Sequence, residues 1–175
     1  MKHLISVFTV VITTLLIVGC GGEKVCEEGS AAMTTEEMTS LMEKYVAFWN
    51  TGDFDGIEEV LHPEFVLRMT PNFEPIVGIE GFKQQVTYWR TTYPDFFLHI
   101  NEHFFAGDKG AALWTISATN TGPGMYPPTG KHVVVSGMSI FHFKEGKLAD
   151  EWIASNNLCW MLQMGYQIVP PGEGE

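Results

Sequence analysis

The residues best placed to do chemistry lie in the second half of the chain. Asn120 ends an alternating run with Trp114, Ile116 and Ala118, and Asn156 ends another with Trp152 and Ala154. Alternate residues of a strand share one face. Two such strands with these faces turned inward would wall a cavity with indole rings and place two amides in it. Mostly apolar walls with a few orienting polar groups are the usual make-up of a small-molecule site; the alternative is plain packing, with both amides satisfied by backbone. An amide can donate a hydrogen bond to an oxyanion but cannot take a proton, so a base must come from elsewhere. His132 follows a Pro/Gly loop at the start of a strand and would lie within reach of the cavity mouth, the alternative being a solvated histidine. Arg68 is the cation nearest the cavity, for an anionic or carbonyl group, with a surface or ion-paired arginine as the default.

Other groupings point away from a reaction centre. Asp150 and Glu151 fall on opposite faces of one strand, so they are not a carboxylate pair. Asp95 follows Pro94 at a helix-to-strand junction, where Asp usually bonds its own turn. His99 and His103 share a strand face with Phe97 and Phe105, but lie about 13 Å apart, too far to ligate one metal. No other spacing suggests a zinc or iron site, and neither a metal nor another cofactor is expected.

The elements that must hold these residues are legible in order. Thr34-Thr35-Glu36-Glu37 offers a capping box, followed by Met38, Leu41, Met42, Tyr45, Val46 and Trp49 at helical spacing. Asn50-Thr51-Gly52-Asp53 stops this helix, and Asp53 can cap a second, short one carrying Ile57, Val60 and Leu61. A short strand over Phe65 to Arg68 comes next. A third helix spans Ile79 to about Thr92, ended by Tyr93-Pro94. Strands follow over Phe96 to Phe105, Ala111 to Asn120, His132 to Phe143 and Leu148 to Asn156, then a short helix closing on Gln163-Met164-Gly165. Helices first and antiparallel strands after make the class α+β: a curved antiparallel sheet wrapped on about three N-terminal helices, with a short C-terminal helix.

At 175 residues the chain suits one domain. Its net charge of −11, with ten scattered Lys and Arg, argues against nucleic acid as a partner. Lys2 and His3 precede an apolar or Thr run from Leu4 to Val18, short for a membrane span and suited to a secretory signal. Ile17-Val18-Gly19-Cys20 resembles a bacterial lipobox, which implies a chain cleaved after residue 19 and lipidated on Cys20; an ordinary cleaved signal is the alternative. The expected organisation is a signal over 1–19, a tether over 20–33, a domain over 34–167 and a Pro/Gly/Glu tail over 168–175. The expected address is the bacterial cell envelope, outside the cytoplasm. Cys26 and Cys159 remain; a buried free thiol at Cys159 is favoured over a bridge.

Several short motifs now stand in a telling order. Asn50-Thr51-Gly52-Asp53, Tyr93-Pro94-Asp95, Pro127-Pro128-Thr129-Gly130-Lys131, Glu145-Gly146-Lys147 and the closing Glu151-Trp152, Leu158 and Gln163-Met164-Gly165 resemble those of the SnoaL-like polyketide cyclases, or ester cyclases. The resemblance implies the cone fold shared with ketosteroid isomerase and the nuclear transport factor two superfamily. It implies a pocket for an apolar carbonyl or ester compound, lined by Asn50, Asn120 and Asn156 and within reach of His132. The chain departs from the family where chemistry is expected. Asn120 replaces a histidine, Asn156 an aspartate, and the strand from Val133 to Ser139 holds no carboxylate. The expected lining is therefore amide rather than acid. A cyclase, isomerase or hydrolase is one expectation; the alternative is a non-catalytic ligand-binding or structural dimeric module at the membrane surface.

Overall fold

The computed structural model describes residues 33–69, 74–125, 127–170 and 172. The expected signal, Cys20, Cys26 and most of the tether lie outside these. No helix among the described residues is long and apolar enough to cross a membrane.

Helix α1 (Thr35–Thr51) opens with the expected capping box: the Thr34 hydroxyl accepts from Glu37 N–H at 3.2 Å, and the Glu37 carboxylate accepts from Thr34 N–H at 2.8 Å. It ends at Gly52, whose φ of 70° lets the chain leave in the left-handed conformation. Its buried stripe is Met38, Met42, Tyr45, Phe48 and Trp49. Helix α2 (Ile57–Val60) is a single turn capped by Gly56; Asp53 instead accepts from Asp55 N–H within its own turn. Strand β1 (Leu61–Met69) starts where α2 stops, earlier than expected, and is followed by β2 (Ile76–Val77) and α3 (Gly78–Thr92). A meander of β3 (Phe97–Ala106), β4 (Lys109–Thr119), β5 (His132–Lys144) and β6 (Lys147–Ser155) leads to α4 (Asn157–Gln163).

The strands form one sheet in the order β2-β1-β6-β5-β4-β3. Every neighbouring pair is antiparallel except β1 and β6, which run parallel. The expected antiparallel sheet is thus present, with one parallel pair at β1. A hairpin imposes opposite directions, whereas β1 reaches β6 only through α3 and the whole meander, a connection long enough to permit either direction.

Burial along β5 alternates strictly. Val133, Val135, Gly137, Ser139, Phe141 and Phe143 face the helices, and the residues between them face out. Two irregularities break the alternation elsewhere. A bulge between Ile100 and Glu102 in β3 leaves Phe97 and His99 opposite Ser117 and Thr115 of the outer face, while His103 and Phe105 oppose Ala112 and Gly110 on the inner one. The four therefore do not share a face. A second shift, between His142 and Phe143, sets two steps of β6 (Leu148 to Asp150) against one of β5. An extra residue in one strand reverses the facing of everything beyond it.

Between β4 and β5 the wide loop is sewn to the end of α3. Gly122 N–H donates to Thr92 O at 3.0 Å, and the Thr92 hydroxyl donates to Pro123 O at 3.0 Å. The approach is so close that a Cβ on Gly122 would meet Thr91 O at 1.8 Å. Thus α1, α3, α4 and this loop close over the concave side of the sheet.

Candidate functional site

A cavity of about 430 Å³ lies between the concave sheet and α1, α3 and α4. Its walls are chiefly apolar and include rings from both sides: Trp49 from α1, Trp89 from α3, Trp114 from β4, Phe141 from β5 and Trp160 from α4. The rings pack on one another, with Trp89 and Trp160 centroids 5.2 Å apart near a right angle. Among the described lining residues there is no Lys, Arg or His, and one carboxyl group, Glu151.

Glu151 is buried, at 4% exposure. Tyr45 of α1 donates its hydroxyl to one Glu151 oxygen, and the Ser139 hydroxyl is the second hydrogen-bonding partner. Ser139 in turn accepts from the indole N–H of Trp114 at 2.9 Å, which leaves its own proton for the carboxylate. Burial raises the Glu151 pKa; the two hydroxyls lower it but do not cancel the desolvation, and it comes to about 7. Burial likewise raises the Tyr45 phenol well above its ordinary value, helped by the charge of Glu151 and by the hydrogen bond to it. Tyr45 therefore stays protonated and remains the donor.

Asn120 lies just beyond the end of β4, at 1% exposure. Its own N–H donates to Lys131 O at 2.9 Å, and its Oδ1 accepts from the N–H and hydroxyl of Thr129 at 2.8 and 3.1 Å. The backbone donor fixes which way round the amide lies. Its Nδ2 is buried without a hydrogen-bond partner, on a residue that lines the cavity. Such a donor costs stability unless a ligand supplies the acceptor.

The register separates the two polar groups. Glu151 pairs with Phe141, whereas Thr119, just before Asn120, pairs with His132 at the loop end of β5. The cavity thus has an acid at one end and an unpaired amide donor at the other.

Of the residues expected at the site, Trp114 and Asn120 line the cavity, together with Ile116. Ala118 shares their face but is wholly buried in the core and takes no part in the lining. The second expected face is inverted. Trp152 is 47% exposed on the outer surface, with Arg68 stacked over its ring at 5.1 Å, and Glu151, Ile153 and Ser155 point inward in place of Trp152 and Ala154. The cause is the register shift in β6: strict alternation from buried Leu148 would carry Trp152 inside, and the extra residue carries Glu151 there instead. Arg68 is on the outer side too, paired with Asp150, which also bonds His142 at 3.0 Å.

The remaining candidates are taken up by structure. Asn50 clamps β3, donating to Leu98 O at 2.9 Å and accepting from Leu98 N–H at 2.7 Å. Asn156 caps α4, accepting from Cys159 N–H at 2.9 Å. His132 is exposed on the outer face and touches no part of the cavity. The Cys159 thiol is free and only partly buried, beside Gln163 Nε2 at 3.1 Å. The expectation of an amide lining without acid is therefore corrected by Glu151. The signal for it was Tyr45: a tyrosine within a buried helical stripe needs a polar partner for its hydroxyl.

Comparison with known proteins agrees with the cone fold. Residues 39–164 match the family model described as SnoaL-like polyketide cyclase. TsrD from Streptomyces laurentii is 30% identical, with a TM-score of 0.68 over 76% of this chain and 98% of that one. A protein from Bacillus cereus ATCC 10987 assigned as a polyketide cyclase is 25% identical, with a TM-score of 0.63 over 76% and 85% of the two chains. A SnoaL-like protein from Jannaschia sp. CCS1, 15% identical, shares the fold with a TM-score of 0.69 over 79% and 100%. No curated protein matches the chain. With the family model spanning most of the chain and the cone architecture in place, the chain belongs to the SnoaL-like polyketide cyclase family.

Proposed function

We propose that the cavity is the active site of a proton-transfer enzyme of the cyclase or isomerase kind, acting on a neutral, largely apolar carbonyl or ester compound. One observation carries this reading: a buried carboxyl with a pKa of about 7 in an otherwise uncharged, largely apolar cavity. A group poised near working pH can both take and return a proton, and such a group contributes roughly 10²- to 10⁴-fold in rate. Glu151 removes a proton from the carbon next to the carbonyl and delivers it to another atom of the same substrate. The Tyr45 and Ser139 hydroxyls share the negative charge while the carboxylate is ionised. Asn120 Nδ2 donates to a second oxygen of the substrate, at the far end of the cavity, and so orients it. An anionic substrate would meet no cation in the described lining and would be repelled by ionised Glu151, so the substrate is neutral.

The test uses nitrobenzisoxazole, a neutral aromatic compound whose ring opens when a base removes its C–H proton and the N–O bond breaks. The wild-type rate should rise with pH and level off above about 7, and Glu151→Gln should lower it about 100-fold or more. Equal rates for the two proteins would dismiss Glu151 as the base.

The same reading places the enzyme in the bacterial cell envelope on a lipid anchor at Cys20. It is supported by the short apolar run from Leu4 to Val18 and the small residue before the cysteine. Radiolabelled palmitate fed to expressing cells should mark the wild type and not Cys20→Ser; equal labelling would refute the anchor. Pairing of two chains is favoured by the exposed outer-face residues Phe104, Leu113, Met138, Ile140 and Trp152. Sedimentation equilibrium reads it directly, and a concentration-independent monomer would dismiss it.

A further inference from the structure

On the outer face of the sheet, opposite the cavity, four polar side chains form an unbroken chain of hydrogen bonds. Ser117 Oγ is 3.2 Å from His132 Nε2, His132 Nδ1 is 3.1 Å from Thr119 Oγ1, and the Thr119 hydroxyl donates to Asp95 Oδ2 at 2.6 Å. Thr119 N–H adds a bond to Asp95 Oδ1 at 2.6 Å. Partial burial works against ionised Asp95, but the bonds from Thr119 and a backbone N–H outweigh it and hold the carboxyl below its ordinary range. The direction of the chain then follows from proton counting. Ionised Asp95 only accepts, so it takes the single Thr119 hydroxyl proton; Thr119 Oγ1 can then only accept from His132 Nδ1–H. The neutral imidazole is left with a lone pair on Nε2, which accepts from Ser117.

We propose that Ser117 is an activated nucleophile for acyl and phosphonyl transfer, with His132 as its base and Thr119 and Asp95 as positioning residues. The arrangement has the logic of a hydrolytic triad with a hydroxyl inserted between imidazole and carboxylate. Ser117 is flanked in the sheet by Phe97 on β3 and Val134 on β5, its direct cross-strand partners, which are 54% and 48% exposed. These two make an apolar shelf on either side of the hydroxyl. Since β4 pairs with β3 on one edge and β5 on the other, its backbone N–H groups are spent in the ladders. The relay therefore activates the nucleophile without a ready-made backbone oxyanion hole. It suits reactive aryl esters rather than amides. In the reaction Ser117 Oγ bonds the acyl carbon, its proton passes to His132 Nε2, and the aryloxide leaves. The imidazolium then releases that proton to solvent; water attacks the acyl-serine and gives a proton to the freed Nε2, which passes it to Ser117 Oγ as the carboxylic acid departs. With a fluorophosphonate the Oγ–P bond forms, the P–F bond breaks, and fluoride leaves while the proton goes to His132.

This site is independent of Glu151 and the cavity. The test treats the full-length chain with a biotinylated fluorophosphonate, locates the adduct by peptide mass spectrometry and follows p-nitrophenyl acetate hydrolysis in parallel. The adduct should fall on Ser117 and vanish in Ser117→Ala. His132→Gln and Thr119→Val should each slow labelling about tenfold or more. Thr119→Ser, which keeps the hydroxyl, should restore the rate that Thr119→Val loses; a merely structural role for Thr119 would not require that hydroxyl. All four positions are on the surface, and thermal unfolding checks that each variant is folded. No adduct, an adduct at another residue, or wild-type labelling of His132→Gln would each overturn the proposal.

Discussion

Tyr45 on α1 donates its hydroxyl to Glu151 on β6, across a separation of 106 residues in the chain. Both groups are buried, and each shifts the titration of the other. A helix-borne phenol and a sheet-borne carboxyl thus form one unit that ties α1 to the sheet and supplies the acid of the cavity. Removing either partner should be felt in both stability and chemistry.

The raised pKa makes stability depend on pH. The Glu151 carboxyl binds its proton more tightly in the folded chain than in the unfolded one, where it titrates near its ordinary value of 4.5. Its contribution is therefore fully present below that value and is lost as pH rises through about 7. The loss should come to about 3 kcal/mol across this window. Urea unfolding at several pH values checks this: the difference between wild type and Glu151→Gln should change by that amount between acidic and neutral pH. A difference that stays constant would show that Glu151 titrates normally.

Tyr45→Phe isolates the hydroxyl. Ionised Glu151 would keep Ser139 and lose its other donor, so its pKa should rise further above about 7. The plateau of the nitrobenzisoxazole rate profile should move to higher pH. Stability should fall by about 1–2 kcal/mol at alkaline pH and less in acid, where the carboxyl is neutral and needs fewer donors. An unshifted profile would mean that Tyr45 does not stabilise the charged form.

How far these features could be read from residue order varies by element. The capping box at Thr34 and Glu37, the stripe of α1 and the glycine turns were legible because each is local: a cap, a period or a positive φ is set within a few residues. The facing of β6 was not. Period-two reading of Leu148 to Asn156 turns Trp152 inward, and only the pairing of β6 with β5 reveals the extra residue that brings Glu151 in. The same holds for His103 beyond the bulge in β3. Asn50 and Asn156 looked like pocket amides but satisfy backbone groups at a strand and a helix start, which is where asparagine most often finds partners. Asn120 was legible as a lining residue because β4 keeps its alternation from Trp114 to Thr119.

Gly137 of β5 lies tight behind the Trp114 ring of the cavity wall. A Cβ there would meet Trp114 Cη2 at 2.2 Å and Ala154 O at 2.7 Å. Gly137→Ala must push the indole away, breaking its bond to Ser139 and deforming the cavity. The cost should be about 2–3 kcal/mol by chemical denaturation. Adding Trp114→Phe removes the outer ring atoms in conflict, so the double variant should be less destabilised than the sum of the two single ones. Simple additivity would show that the clash is relieved elsewhere.

Asn120 offers the sharpest test of ligand recognition. Its Oδ1 is held by Thr129, so its buried Nδ2 is free to donate to a ligand carbonyl. Wild-type protein should bind α-tetralone, an apolar ketone, about tenfold more tightly than tetralin, which lacks the oxygen but has nearly the same shape, since one hydrogen bond to a buried donor is worth about 1 kcal/mol or more. Asn120→Asp keeps an acceptor for both Thr129 donors, so the loop stays in place. At a pH of about 8 its ionised oxygen replaces the donor and repels the ketone. The preference should then disappear or reverse, as read by quenching of tryptophan fluorescence, while tetralin binding changes less. Asn120→Ala should also lose the preference and, by leaving the Thr129 N–H without its acceptor, cost about 1–3 kcal/mol in stability. Retention of the ketone preference in both variants would move the recognising donor to the Tyr45–Glu151 end of the cavity.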